Sequence, residues 1–544
     1  MAGIILLLAA FCILFSSPVS AAPAPLDFSV NMSEATTVDT AGGTPRIAVN
    51  VGGTARYASY ASGSGTAALV FTYAPQVGDL DLDGVVLTSP VDLNGGTMKD
   101  AAGNDATLTF TLPNTTGVKV DYPSLSMDFI ANRYTLQGTV YNSFSAFLTG
   151  AGGTFSRPSV ATYYNSAGVL QTSAGGAARF DHDPVTLTPK GLLLETTRVN
   201  YVQNSQFSGV TPGGPYTSAT TLGGHWQTLG AGNFPTGSIT VTGTGTANGV
   251  PYLDLRFQGT NSTGAISYLT FNTLAAEKFA AVTGDKSVTS AWMAVTSYSS
   301  TGGTCTVHLQ SRSYTAGGAY AAGQQLSYTA VLPWQKVSTP VLTHGATAAT
   351  DDGWLFLSVT DGATCDVTVR IGAVQVEKGD AASSYIPTTN GIVTRNEDIV
   401  TVPTGTWYNQ PAGSFYNAVS WVSATGVNYP MFWRVDDTTN NNRWNAYFNQ
   451  NTTALGVDGV TASVNQGAIV RASTTSGSAK IAGAQTANNT NVSFDGNLGM
   501  LDTVWASPPV TRMSLTGYLA SRWHNNIRYY PVRIPDAQLQ LITQ

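Results

Sequence analysis

Asp366-Val-Thr-Val-Arg-Ile-Gly-Ala-Val-Gln-Val376 sets branched aliphatic residues at alternate positions, with threonine, arginine and glycine between them. Successive side chains of an extended chain point to opposite sides, so this alternation marks a β-strand with one face on a core. Working outward, Val288-Thr-Ser-Ala-Trp-Met-Ala-Val-Thr296 and Ala67-Ala-Leu-Val-Phe-Thr-Tyr73 repeat the pattern, and Gly, Asn and Asp collect between such runs. Outside the N-terminus, only Leu274–Val282 and Asp536–Ile542 read as short helices. The pattern predicts an all-β chain of stacked sandwiches.

Composition bounds the class. A chain of 544 residues is too long for one core and implies three or four modules. Only 10% of residues are charged, 57 are glycine and 42% are hydrophobic, which fits short strands joined by tight turns and excludes a disordered chain. The net charge of −6, with no run of Lys or Arg, excludes nucleic acid as a partner. A surface of hydroxyls, amides and aromatic faces suits sugars.

Residues 1–25 are apolar and uncharged, with a hydrophobic run at Ile4–Phe15 and small residues at Pro18–Ala22, so they form a leader. It is either a cleaved secretory signal or a retained anchor. Of three cysteines, Cys12 lies in the leader, while Cys305 and Cys365 each open an alternating strand. That pair forms either a disulfide, worth about 3 to 4 kcal/mol for so long a loop, or two buried thiols.

Four modules follow the leader. Residues 26–121 form a spacer with strands near Arg46–Val51, Leu69–Tyr73, Gly84–Leu87 and Thr107–Leu112; its phrases Asp79-Leu-Asp81-Leu-Asp83-Gly84 and Asp100-Ala-Ala-Gly-Asn104 resemble immunoglobulin-like repeats of bacterial adhesins and phage fibres. Residues 122–200 are a connecting tract. In it, Phe155-Ser-Arg-Pro-Ser-Val-Ala-Thr-Tyr-Tyr164 and Ala178-Arg-Phe-Asp-His-Asp-Pro184 resemble a tract of many phage fibre and tail-associated proteins. Residues 201–390 resemble the carbohydrate-binding-module-like jelly rolls that follow that tract, through Tyr201-Val-Gln-Asn-Ser-Gln-Phe207, Leu332-Pro-Trp-Gln-Lys-Val337 and Ser384-Tyr-Ile-Pro-Thr-Thr389. Residues 391–544 resemble a concanavalin A-like or laminin-G-like lectin sandwich, closed by Gly517–Gln540. The fold class is thus all-β, with tandem β-sandwich and jelly-roll domains behind an N-terminal hydrophobic leader.

Sugar binding needs an aromatic face for the C–H surface and carboxylate or amide groups for hydroxyls. The candidates are Trp226, Tyr252 and Asp254, flanked by His225 and Arg256, in the jelly roll, and Trp433, Asp436, Asn442, Arg443, Trp444 and Tyr447, with Arg434, in the lectin-like module. Trp292 and Trp334, in alternating strands, read as core. Asp79, Asp81 and Asp83 before Gly84 open like a calcium loop, with Asp100 and Asn104 as further oxygens, although Pro90 stands where a bidentate Glu is required; the competing reading is a polar hairpin whose acids cap turns. Ca2+ is the one cofactor considered. Arg157, Arg179 and Asp181 read as structural ion pairs, and Asp181-His182-Asp183 as a capped turn before Pro184. Five histidines spread over different modules, with no GxSxG or HExxH, give no catalytic motif, so the chain is not read as an enzyme.

These resemblances imply a bacteriophage virion fibre or spike, on the head or tail, whose lectin-like sandwiches attach to host cell-surface polysaccharide. Its partners are that polysaccharide, other virion proteins and further copies of itself, as a trimer built by β-module packing. A secreted bacterial or prophage-derived adhesin at the cell surface and a structural virion decoration without sugar binding are the alternatives.

Overall fold

The computed structural model describes residues 22–229, 237–261, 266–271, 277–422, 430–449, 454–472, 477–516 and 521–544. Residues 1–21 of the expected leader lie outside them. Among the described residues strand occupies 56% and helix 3%, so the protein is all-β.

The first unit is a six-stranded antiparallel sheet ordered Val86–Asp92, Arg46–Val51, Thr54–Ser62, Thr66–Tyr73, Leu26–Asp39 and Thr97–Asp100. Leu26–Asp39 changes partner at a register shift between Asn31 and Thr36, passing from Thr66–Tyr73 to Thr97–Asp100. Phe28, Ile47, Val49, Leu69, Phe71 and Leu87 fill its core. The strand expected at Thr107–Leu112 does not form: Leu108 accepts from Val91 N–H and Phe110 is buried, but the segment makes no ladder.

Residues 122–200 correct the expectation of a connecting tract. Leu125–Asp128 and Pro189–Leu194 both pair with Ser521–Tyr530, and Thr154–Ser156 pairs with Ile399–Pro403. The tract therefore supplies strands to both sheets of the terminal sandwich. One contains Arg133–Leu136, Leu125–Asp128, Ser521–Tyr530, Ala412–Val422, Gly477–Thr486 and Asn489–Phe494; the other contains Ile399–Pro403, Arg512–Thr516, Met431–Asp436, Arg443–Asn449, Ala454–Thr461 and Val464–Ala472. Leu125, Met127, Phe144, Leu192 and Leu194 share a single core with Phe415, Trp433, Trp444 and Tyr529. The helix Phe144–Ala151 adds Phe144 and Phe147 to that core, with Ser143 accepting Ala146 N–H at its start and Gly152 in the left-handed conformation (φ 65°) at its end.

The jelly roll is an insertion in this sandwich. Its entry strand Arg198–Asn200 pairs antiparallel with its exit strand Val393–Arg395, so the chain leaves and returns at one place. The insert comprises two seven-stranded sheets. Lys286–Thr301, Thr364–Lys378 and Val250–Thr260 lie side by side in one, and Cys305–Tyr314, Thr350–Val359 and Ile266–Thr270 in the other. Cys305 and Cys365 are disulfide-bonded, with Cα atoms 6.0 Å apart and 60 residues between them in sequence; their strands belong to different sheets, so the bond staples the sandwich through its core. The helix expected at Leu274–Val282 is not present where described: Phe279–Ala280 is a strand on Thr350–Val359, and residues 274–276 lie outside the described residues. The terminal helix forms at Asp536–Ile542, as the sequence predicts.

Candidate functional site

The charged residues of the tract meet at the root of the insert. Arg157 donates to Asp398 at 2.8 Å, Arg179 to Glu195 at 2.7 Å and to Asp398 at 2.6 Å, and Arg395 contacts Glu195 at 3.0 Å. All five side chains are fully buried. Burial works to raise the Glu195 carboxyl, but Arg395, Arg179 and the hydroxyls of Ser384 and Ser521 hold it well below the usual range, so it stays ionised. Asp181 is not an ion-pair member: it accepts Tyr164 N–H at 2.8 Å and the Trp523 indole N–H at 2.8 Å, and burial raises its carboxyl. Asp183 accepts Val185 and Thr186 N–H at 2.9 and 2.8 Å, which is a capped turn.

The calcium-loop expectation is corrected. Asp79 is paired with Arg56 at 2.8 Å and accepts the Tyr73 hydroxyl, Asp81 accepts Gly52 and Gly84 N–H at 2.6 and 2.7 Å, and Asp83 accepts Gln538 at 2.6 Å. Asp100 caps its own turn on Ala102 and Asn104, 2.8 Å from each amide. The oxygens point to separate partners, and among the described residues no group of three or more His, Cys, Asp or Glu is placed to hold a metal ion. The loop instead docks the first unit: Leu80 and the Asp83–Gln538 contact meet the terminal helix, where Leu80 packs with Tyr416, Ile534 and Leu539.

The aromatic candidates of the terminal sandwich are also corrected. Trp433, Trp444 and Tyr447 are buried; Trp433 and Trp444, edge to face at 4.8 Å, lie in the sandwich core because neighbouring strands of one sheet turn both to its inner face, while Tyr447 is on the other face of its strand. Asp436 is buried against Arg512 at 2.7 Å; Asn442 accepts Ala462 N–H at 2.8 Å and donates to Asp437 at 2.8 Å; Arg443 donates to the Asn440 carbonyl at 2.8 Å. These polar groups close a loop. Trp226 is likewise core, its indole N–H donating to the Asn204 carbonyl at 2.7 Å, and His225 bridges Glu277 and Asn390 at 2.9 Å each.

Tyr252 and Asp254 behave differently. They alternate along Val250–Thr260 with the buried Leu253 and Leu255, so both face away from the core. The antiparallel register puts Asp254 opposite Arg370, which forks its carboxylate at 2.8 and 2.9 Å, and the same guanidinium lies 3.7 Å from the Tyr252 ring centroid. Arg256 and Asp366 form the next pair at 2.7 Å. Trp334 stands edge-on to Tyr252 at 6.3 Å. Gly245 lies opposite Tyr252, and a Cβ there would stand 2.7 Å from the tyrosine hydroxyl, so only glycine leaves this ring its place. Trp292 and Trp334, read as core, pack together on this face: Trp292 is buried under Tyr164 and Leu170, its indole N–H donating to the Tyr164 hydroxyl at 2.6 Å, and Trp334 is half-buried beside it. Trp334 and Arg370 were missed as site residues: Arg370 lies opposite Asp254 on the neighbouring strand and Trp334 reaches the strip from Leu332–Ser338, two strands further on, and one sequence specifies neither pairing.

The fold and this face define an all-β protein whose jelly roll carries an aromatic and charged outer strip. No family model matches the chain and no curated protein matches it. Among solved structures, the tripod from the baseplate of bacteriophage Tuc2009 is similar at 13% identity, over 61% of this chain and 98% of that one, with TM-score 0.24. The N-terminal CBM22-1-CBM22-2 tandem domain of Paenibacillus barcinonensis Xyn10C follows at 10% identity, over 60% and 96%, with TM-score 0.19. Trypanosoma rangeli sialidase covers 100% of this chain and 96% of its own at 9% identity, with TM-score 0.22.

Proposed function

We propose that this chain is a non-enzymatic fibre or spike subunit of a bacteriophage virion, and that its jelly roll binds host-surface glycan on the strip Tyr252, Asp254, Arg370 and Trp334. The observation that carries the reading is the convergence of an aromatic ring, a carboxylate and a guanidinium on one open sheet face, since a sugar offers C–H faces to the first and hydroxyls to the others. The low charge of the chain and the tract's resemblance to phage fibre proteins support the virion setting. Copies assemble through packing of β-modules, as a trimer, and many weak sites then add to useful avidity.

The test is a glycan array and whole-cell binding assay of the full chain as a multivalent conjugate. Tyr252→Ala and Asp254→Ala each weaken binding about 10-fold, or about 1.4 kcal/mol, without change in melting temperature. Binding that ignores both substitutions sinks this site. Failure to bind at any valency favours the second reading, a structural decoration, which the burial of Trp433 and Trp444 already favours for the terminal sandwich.

A further inference from the structure

The opposite sheet of the insert carries a second outward-facing cluster. His308, Gln310, Arg312 and Tyr314 occupy alternate positions of Cys305–Tyr314, and Asp352, Trp354 and Phe356 those of Thr350–Val359. The antiparallel register sets His308 opposite Phe356, Gln310 opposite Trp354 and Arg312 opposite Asp352. Their neighbours Leu309, Leu355 and Leu357 fill the core, so these seven share the other face. The His308 ring stacks on Phe356 at 4.3 Å. The Arg312 guanidinium lies 4.0 Å from the Trp354 centroid and 4.5 Å from that of Tyr320, while Lys278 Nζ stands 3.5 Å from the Tyr314 centroid. Tyr320 is 53% exposed, which opens the cluster to solvent.

Three observations mark this cluster as built for a ligand. The first is charge. The basic side chains of Arg312 and Lys278 both stand on this face, and burial pushes the Asp352 carboxyl beside them up although Lys278 pulls the other way. The second is unmet hydrogen bonding. Gln310 is more than nine-tenths buried; its Nε2 donates to Gln325 at 3.1 Å, but its Oε1 and the buried Nε of Arg312 have no partner among the described residues. The third is space. Gly323 lies opposite Arg312, and a Cβ there would stand 2.8 Å from Gln310 Nε2 and 3.1 Å from the Tyr320 hydroxyl.

An anionic sugar matches all three. Its carboxylate takes the planar fork of Arg312 and the ammonium of Lys278, its hydroxyls take Gln310, and its C–H face lies on an exposed ring. We infer that this face, built from Arg312, Lys278, Gln310 and Tyr320, binds a carboxylate-bearing sugar, a uronic or sialic acid. The inference rests on the reading of the jelly roll as a glycan-binding module and adds a second face and a substrate class.

The experiment titrates the full chain with oligogalacturonate, with oligosialic acid and with carboxyl-reduced oligogalacturonate. The expected result is that at least one acidic glycan binds about 10-fold more tightly than the reduced one. Arg312→Gln abolishes that preference, and Tyr252→Ala leaves it intact. Tyr320→Ala, at an exposed ring, gives the same reading if Arg312→Gln fails to fold. Equal affinity for the acidic and reduced glycans overturns the inference, as does wild-type preference in Arg312→Gln and Tyr320→Ala. Loss of neutral-glycan binding in Tyr252→Ala without any acid preference leaves the glycan reading standing and sinks only this inference. No binding to any of the three sinks both.

Discussion

Asp352 couples the second face to the stability of the insert. It stands against Lys278, Arg312 and Asp351, and behind Asp351 lies His344 at 2.9 Å. Burial raises its folded carboxyl above the value of about 4 that it takes in an unfolded chain. Above that value the native state holds a proton that the unfolded state has lost, so this group subtracts stability as pH rises from about 4 towards the raised folded value. Asp352→Asn is therefore expected to remove that decline: the variant's urea midpoint exceeds the parent's at pH 8, and the gap closes towards pH 4. Glu195 acts with the opposite sign. Its depressed carboxyl contributes stability that is complete above the ordinary carboxylate range and fades as pH falls below about 4. At this scale the sequence was partly legible. Arg157 and Arg179 were readable as ion pairs, because charge in so uncharged a chain is seldom idle, but their partners Glu195 and Asp398 were not, since Asp398 lies 241 residues from Arg157. The tryptophans misled: Trp433 and Trp444 sit beside a polar loop in sequence and yet point inward. Trp444→Ala is expected to cost about 3–5 kcal/mol in denaturant unfolding, the signature of a core ring.

Among the elements, period-two alternation located strands well. Arg46–Val51 has the same limits in sequence and structure, and the long run through Val376 is a strand from Thr364 to Lys378. It said nothing about which strands pair. The pairing of Leu125–Asp128 with Ser521–Tyr530 was unreadable, because it spans the insert. The disulfide gives an element-level prediction. Its removal by Cys305→Ser with Cys365→Ser frees a loop of 60 residues, and calorimetry is expected to show the insert losing about 3 to 4 kcal/mol. The transition of the terminal sandwich, which contains neither cysteine, stays in place.

For the whole molecule, the nesting of one sandwich inside another changes what counts as a fragment. Residues 201–544 look like two complete lectin-like modules in sequence, but that piece lacks Leu125–Asp128, Thr154–Ser156 and Pro189–Leu194 and exposes the strands they cover. It is expected to aggregate or to show a molten terminal sandwich, whereas residues 201–390 keep both sheets and the disulfide and are expected to unfold cooperatively; a denaturation series on the two pieces decides this. Arg179→Met leaves Glu195 and Asp398 buried with less compensation and is expected to cost about 3–5 kcal/mol, felt in the sandwich and the insert together, because the ion cluster joins them.

The adjacency of the strands that enter and leave the insert also governs how the chain is made. Pro189–Leu194 leaves the ribosome roughly 330 residues before its partner Ser521–Tyr530. At about 5–20 residues per second the wait is tens of seconds. During that time the earlier strands present bare hydrogen-bonding edges, the kind of surface on which nascent chains stick to one another. Early folding of the insert brings its two ends within one strand spacing and shortens the loop that the sandwich must close, so the insert serves as the clasp for the body that carries it.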